Sequence, residues 1–482
     1  MIPPRLSPIL LAALLAGCSL GPNDTRPEAA SPDAFRAEAP AGPVWPAADW
    51  WRGFHSPDLD RLIADAQGGN FDIQAAIARV AQADAQLRIA GSALLPAVTG
   101  TGKADWQRST TAGSTSRLGS TQGGYRETRQ FSVEPSVSYE LDVWGRVQAT
   151  RDNAAALALF SRTDQQTVAL TAVTSVATTW FTALAYQDRL VIALRNLTDA
   201  EAILAAIKAR LEAGTASELD VAQQGALVAG IRAQIPNYRS NVRVQLNALG
   251  VLTGRNPEEI AVVPGTLNTL DLPEVAPGLP SDLLLRRPDV ASAEANLVAA
   301  RANIREARAN FYPQIQLTGA GGWQSTALAT LFGPTSILAN VAAQATQTIF
   351  DNGLKAGQYE QAKAKYDELV ADYRKAVVQA FTDVEDALTQ YRYATEQEGL
   401  ERIAVATAQR ASDIARAQVL AGTSDIVTAL QAQTTLFNDL DTLAQVRLQR
   451  FQALVALYKA LGGGWQVSDT ALPQPKLLQG IL

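Results

Sequence analysis

Residues 72–107 read DIQAAIARVAQADAQLRIAGSALLPAVTGTGKADWQ, and residues 289–324 read DVASAEANLVAARANIREARANFYPQIQLTGAGGWQ. The two stretches align without a gap: Pro96 matches Pro313 and Trp106 matches Trp323, each pair 217 residues apart. Both read as an Ala-rich amphipathic helix, a proline stop and an alternating strand. A second correspondence follows each first one. Leu141-Asp142-Val143-Trp144-Gly145 parallels Ile349-Phe350-Asp351-Asn352-Gly353, and Ala213-Gly214-Thr215-Ala216-Ser217 parallels Ala421-Gly422-Thr423-Ser424-Asp425, both at an offset of 208. Two constant offsets make the chain two copies of one unit: helix, strand, loop, strand, very long helix, Gly turn, helix.

Length alone, 482 residues, would favour about three domains; the internal repeat replaces that expectation with one duplicated architecture. The apolar residues include much Ala and few aromatics, which suits long close-packed helices better than a thick core. A net charge of −6 leaves no basic footprint for nucleic acid. One Cys, one His and one Met rule out an intrachain disulfide, a Cys/His metal site and a methionine path for soft metals. No Walker motif and no catalytic constellation is present, so the expectation is no enzyme, no metal and no cofactor.

Residues 1–17 read as a secretory signal, with Arg5 before the apolar run Ile9–Leu15, too short to span a bilayer. Leu15-Ala16-Gly17-Cys18 resembles a bacterial lipobox, which makes Cys18 the lipidation candidate, carrying S-diacylglycerol and N-palmitoyl chains. Two anchoring signals are what stable membrane attachment needs. Ser19 rather than Asp follows, the pattern of an outer-membrane destination. Residues 18–49 read as an extended tether, and Trp50-Trp51-Arg52-Gly53-Phe54 opens the structured part. The first helix is expected from about Ser56 to Ala93 with a break near Gly68-Gly69-Asn70; Ile73, Ile77, Val80 and Leu87 form its stripe and Pro96 ends it. His55 stands alone and reads as a surface or packing residue.

Strands are expected at about 97–107, 127–142, 314–323 and 337–350. The second is the clearest: Phe131, Val133, Pro135, Val137, Tyr139 and Leu141 share one face, with Ser132, Glu134, Ser136, Ser138 and Glu140 on the other. That is the length and period of a tilted membrane strand. Ile315, Leu317 and Trp323 repeat the pattern against Gln314, Gln316 and Thr318. The fourth alternates less clearly, with Asn340 and Gln344 on its polar side. The Ser/Thr/Gly-rich residues 108–126 form an exposed loop. A membrane sheet cannot leave open edges, and four strands fall short of about eight, the smallest barrel. Several chains must therefore share one barrel: two for eight strands, three for twelve.

No Pro occurs from 145 to 211, a helix of about 100 Å. Leu190, Leu197, Leu204 and Leu211 repeat at seven with Leu194 between, like a coiled-coil seam. Gly214 stops the helix, and Ser217-x-x-Asp220 reads as a capping box. Gly422 and a cap at Ser424 or Asp425 repeat the turn, and the last helix carries Leu436, Leu440, Leu443, Leu454 and Leu461. The Pro/Gly-punctuated stretch 252–285 and the C-terminal piece 462–482 fall at the same height of the repeat, as a girdle would.

Pro277-Gly278-Leu279-Pro280-Ser281-Asp282-Leu283-Leu284, then Arg286-Arg287-Pro288-Asp289 and Ala293-Glu294, resembles the inter-repeat signature of outer-membrane factors, the NodT/OprM branch of the TolC family. The lipobox, Trp50-Trp51, the Gly turns and Tyr458-Lys459-Ala460-Leu461-Gly462-Gly463-Gly464-Trp465 also match. The resemblance implies a mainly α chain with membrane β, in a homotrimer whose 12-stranded outer-membrane β-barrel continues into a periplasmic α-helical barrel. It divides the chain into the signal 1–17, the lipidated tether 18–49, a first repeat 50–270 (hairpin about 145–249), a second repeat 271–465 (hairpin about 354–461) and an equatorial segment 466–482. It implies an outer-membrane exit duct of a tripartite efflux pump, with a periplasmic adaptor docked at the tips (Gly214, Thr215, Ser217, Gly422, Thr423, Ser424) and an inner-membrane transporter of the resistance-nodulation-division type. Family members narrow the periplasmic mouth five and nine residues after the second Gly, with an apolar residue and an Asp. Here those positions are Val427 and Gln431; the acid is lost, and Asp425 is the substitute for a ring of like charges. The first-half equivalents are Leu219 and Gln223. The competing readings are a type I protein-secretion duct, within the same class, and a lipid-anchored coiled coil without a pore, which leaves the alternating strands unexplained.

Overall fold

The computed structural model describes Phe35 and residues 45–110, 125–261, 265–273 and 283–465. Cys18, the signal 1–17, residues 111–124 of the loop, residues 277–282 of the signature and the segment 466–482 lie outside the described residues. In chain order the elements are α1 (Pro57–Gly69), α2 (Phe71–Ser92), β1 (Ala97–Thr110), β2 (Tyr125–Leu141), α3 (Arg146–Glu212), α4 (Glu218–Thr253), α5 (Pro288–Ala309), β3 (Gln314–Ser325), β4 (Ile337–Thr346), α6 (Leu354–Ala421) and α7 (Ile426–Ala460). The series α2-β1-β2-α3-α4 recurs as α5-β3-β4-α6-α7. Two compact units result. Among the described residues one comprises 81–158 and 295–371, and the other comprises the rest.

The first unit holds the sheet. Its four strands run in the order β1-β2-β3-β4, every pair antiparallel. Register aligns the alternation across all four. Val98, Val137, Gly319 and Val341 form one rung, and Leu317 lies between Tyr139 and Ala343. Thr99, Ser136, Ala320 and Asn340 form the next rung, on the opposite face. Gly322 lies so close to β2 that a Cβ there would run into the Val133 carbonyl oxygen, beside Pro135, which has no N–H to offer the ladder. β4 ends at Thr346, four residues short of the expected 350. Its partner explains why: β3 begins at Gln314, opposite Thr346, and Pro313 before it cannot donate. The helices are started by acids. Asp142 accepts from the N–H groups of Val147 and Gln148, and Asp351 from those of Gly353 and Lys355. Trp144 stacks on Tyr312 at 4.8 Å and donates its indole N–H to the Pro313 carbonyl at 2.8 Å.

The second unit is helical. Asn70 makes the break expected between the first two helices: its side-chain oxygen accepts from the N–H groups of Asp72 and Ile73, starting α2, while its amide donates to the Leu252 carbonyl. Of the expected α2 stripe, Ile73 is buried but Ile77 is exposed, and the packed face uses Ala76 instead. An aromatic core forms where Phe54, Phe181 and Phe451 meet, with Trp50 stacked on Tyr458 at 4.6 Å. Leu59, Ile63, Leu246, Leu249 and Leu454 close around it. Few aromatics thus still make one thick core, because they converge. α3 holds a stretch apolar enough to cross a bilayer, 56% buried here. Its Val173, Val176, Trp180 and Phe181 belong to this core, so packing accounts for the apolarity. The end of the tether is docked rather than free. Trp45 lies under the Arg286 guanidinium at 4.4 Å, and a Cβ on Gly464 would collide with Ala47. The stretch 252–285 contributes two short 3-10 turns, Pro257–Glu259 and Leu267–Thr269, with Ile260 and Leu267 buried in the same core.

The signature Arg286-Arg287-Pro288-Asp289 earns its form here. Pro288 opens α5, a position that suits its missing N–H. Arg287 is buried, grips Asp289 at 2.6 and 3.0 Å, and reaches Asp383 at 2.8 Å and the Ala460 carbonyl at 3.3 Å. One guanidinium therefore ties α5, α6 and the last turn of α7 together.

Candidate functional site

Two surfaces can serve a conduit: the tips of the helical hairpins in the second unit and the two-faced sheet in the first. The tips are built alike. After α3 the N–H of Thr215 returns to the Arg210 carbonyl and that of Gly214 to Leu211; after α6, Thr423 returns to Gln418 and Gly422 to Val419. This is a Schellman closure, with Gly214 (φ 71°) and Gly422 (φ 76°) left-handed, where glycine alone avoids strain. Thr215 and Thr423 add hydroxyl bonds to the same carbonyls. Ser217 and Asp220 form a reciprocal capping box on α4. Asp425, not Ser424, caps α7, accepting from the Thr428 N–H at 2.8 Å.

Those bonds set the charge state. The Ser217 backbone N–H holds the Asp220 carboxyl below its usual range, and the Thr428 N–H does the same for Asp425. Asp425 keeps its charge while committed to a helix start. Val427 and Gln431 are exposed on one side of α7, Val427 by 44%. Ile426, Ala429 and Gln433 point into the packed seam. Leu219, the first-half equivalent of Val427, is exposed too. Ser217→Ala should remove about 1 kcal/mol of local stability; amide exchange should quicken at residues 218–221 and stay unchanged at 426–429.

Between tip and aromatic core, polar bridges stitch the first hairpin to the second: Arg189 to Asp441 at 2.6 and 2.9 Å, Gln433 to Asn196 at 3.1 Å, Arg416 to Asp199 at 3.1 Å, and Arg210 to the Val419 carbonyl at 2.7 Å. Ile203 and Ile207 fill the space with Ala415, Val419, Ile426 and Ala429. None of these bridges is readable from sequence, since each joins residues more than 200 positions apart. The α3 seam itself alternates Leu190, Ala193, Leu197, Ala200, Leu204 and Ile207, with Ala193 and Ala200 fully buried. Leu194, read from the heptads as part of the seam, is exposed. The small residues take the closest contacts. α6 repeats the device with Ala380, Ala387, Ala394, Ala408 and Ala415 buried at multiples of seven.

The sheet offers two chemically opposite walls. One carries Val98, Val133, Val137, Leu141, Leu317, Ile337 and Val341, all exposed. The other carries Thr99, Thr101, Ser132, Glu134, Ser136, Gln316 and Asn340. β1 and β4 are unpaired edges of the sheet.

Against known proteins, the model of the outer membrane efflux protein family matches residues 62–255 and again 279–463, one match per repeat. The pyoverdine export outer membrane protein OpmQ of Pseudomonas aeruginosa is 36% identical over 463 residues, 96% of this chain and 97% of the relative. The toluene efflux pump outer membrane protein TtgC of Pseudomonas putida is 35% identical over 471 residues, 95% of each. Among solved structures, the outer-membrane channel OprN superposes with a TM-score of 0.87 at 25% identity, covering 93% of this chain and 100% of that one.

Proposed function

The chain belongs to the outer membrane efflux protein family, and we propose that it works as a homotrimer whose three four-stranded sheets close one twelve-stranded outer-membrane barrel. It is an exit channel of the outer membrane for efflux. The observation that carries the shared barrel is the sheet: one wall apolar and exposed, the other polar, and two open edges; three copies rather than two is what the family resemblance implies. An unpaired edge in hydrocarbon loses several kcal/mol per group, so each chain needs neighbours. A second feature supports the same reading. Tyr393, Leu400 and Ile414 stand exposed on α6 at spacings of seven and fourteen, with Ile403 beside them. That is a coiled-coil stripe lacking its partner, and a neighbouring copy would cover it.

The duct is passive. Its polar sheet wall and the hairpins conduct what an inner-membrane transporter of the resistance-nodulation-division type delivers through a periplasmic adaptor, which docks at Gly214, Thr215, Ser217, Gly422, Thr423 and Ser424. Cys18 carries the acyl anchor. Relatives of nearly equal identity are named for pyoverdine and for toluene, so substrate choice belongs upstream. Both names denote small molecules, which favours efflux over protein secretion. The mature protein in mild detergent should have the mass of three chains; a single chain with residues 131–141 shielded from lipid would sink the reading.

The periplasmic mouth is narrowed by Val427, with Gln431 one turn behind it. Val427→Ser should raise single-channel conductance in planar bilayers, because a ring of three apolar side chains gates by excluding water. Unchanged conductance would remove Val427 from the gate.

A further inference from the structure

The first strand pair outruns the second. β1 and β2 stay paired out to Thr110 and Tyr125, but β3 stops at Ser325, opposite Phe131. Six residue pairs, from Asp105–Gln130 to Thr110–Tyr125, stand as a two-stranded ribbon past the end of β3, about 20 Å long. All its residues but Gln130 are exposed. It lies at the end of the sheet away from the helices of this unit.

Charge is concentrated there. The ribbon, residues 105–110 and 125–130, carries Arg108, Arg126 and Arg129 against Asp105 and Glu127, a net of +1 (3 − 2) within a chain of net charge −6. Residues 314–346, the whole second strand pair, contain no Lys, Arg, Asp or Glu. Alternation continues the apolar wall onto one side of the ribbon. Beyond Phe131 that side presents Trp106 with Arg129, then Arg108 with Glu127, then Tyr125. Asp105 and Arg126 fall on the other side, where Asp105 pairs with Lys103 at 2.8 Å. The Arg108–Glu127 pair is loose, 3.8 Å and about half exposed, and such pairs are weak. Arg108 also lies over the Tyr125 ring at 4.2 Å.

An arginine on the lipid side is destabilising in mid-bilayer and tolerated near the interface. A tryptophan on that side prefers the headgroup level. Both conditions hold if the Trp106–Arg129 rung sits where the hydrocarbon ends, just above the apolar band. We propose that this ribbon is a docking surface for phosphate-bearing glycolipid headgroups of the outer leaflet, with Trp106 at the acyl boundary and Arg129 and Arg108 gripping phosphate. A guanidinium meets a phosphate with two parallel donors. The proposal rests on the sheet spanning the outer membrane.

The test uses purified full-length protein in detergent, offered diphosphorylated lipid A or the same lipid chemically dephosphorylated, with bound lipid read by native mass spectrometry. The wild type should prefer the phosphorylated form. Arg108→Gln with Arg129→Gln should cut that preference on the order of 20-fold, since each basic group near an anionic surface is worth about fivefold. Arg126→Gln, on the other side, should leave it intact. Equal binding of the two lipids by wild type, or an unchanged preference in the double variant, would overturn the ribbon site. Heat-modifiable gel mobility of the same samples separates the two readings. A wild type without a folded barrel defeats the channel and the ribbon together, whereas a folded barrel without phosphate preference defeats only the ribbon.

Discussion

Glu398→Ala should loosen the second hairpin by about 3–5 kcal/mol, the loss typical when one partner of a buried ion pair is removed. Glu398 stands at a seam position of α6, two heptads beyond Val384 and three before Val419, with its side chain 2% exposed. Three guanidiniums converge on it: Arg447 at 2.9 Å and Arg450 at 2.9 Å from α7, and Arg402 at 2.6 Å from its own helix. Burial alone would push the Glu398 carboxyl up. The hydrogen bonds from Arg450, Arg447 and Arg402 together outweigh it and hold the group below its ordinary 4.5. Alanine leaves Arg447 and Arg450 half-buried with no anion between them. Thermal unfolding of the detergent-solubilised protein measures the loss, and an unchanged midpoint would show the cluster to be idle. Glu398→Leu with Arg447→Leu and Arg450→Leu should regain much of the stability, because an apolar seam has no desolvation to offset. The pH dependence has a fixed sign. A carboxyl whose folded pKa is depressed adds stability above its unfolded value, and that stability is lost as pH falls through the folded value. The contribution of Glu398 is therefore complete above about pH 4.5 and fades in more acid solution, and the triple-Leu variant should lose that acid sensitivity.

A buried charge in a helical seam also fixes register, as single polar seam residues do in coiled coils. It escaped the sequence because periodicity weighs apolar residues, and Glu398 reads as one more surface acid on a long polar helix. Ala193 and Ala200 escaped for the opposite reason: their contribution is closeness rather than area, so Leu194 drew the reading instead. What was legible had local causes. The Gly turns, the Ser217–Asp220 box and the alternation of residues 131–141 each lie within a few positions of one another, and the repeat shows because such local signals recur at fixed offsets; the structure has them in place. The end of β4 was not legible, because it depends on where β3 begins across the sheet. The bridges Arg189–Asp441 and Arg210–Val419, which join the hairpins, depend on a register that only the folded chain provides.

Val341→Arg should abolish assembly where Ala342→Arg leaves it intact. The two residues are adjacent on β4, yet register sends them to opposite walls: Val341 pairs with Gly319 on the apolar side and Ala342 with Thr318 on the polar side. Val341 is 91% exposed in one chain, and it stands midway between Ile337 and Ala345 along the apolar face. A charge at that depth on a lipid-facing wall costs about 2–4 kcal/mol per chain, and in the proposed trimer three copies would multiply it within one cooperative barrel. Ala342→Arg instead adds a cation to the polar wall, where water solvates it. Three such groups facing one another should turn the pore toward anions. Two measurements separate the cases: heat-modifiable mobility of membrane extracts for assembly, and reversal potential across a salt gradient for selectivity. The Val341 variant should yield little folded trimer, while the Ala342 variant should fold and shift its reversal potential toward the anion limit. If Val341→Arg assembled and altered selectivity while Ala342→Arg failed to insert, the walls would be reversed. Phe131, Val137 and Leu317 would then line the water and Glu134 and Glu140 would face the acyl chains, which would overturn the assignment of the apolar wall to lipid.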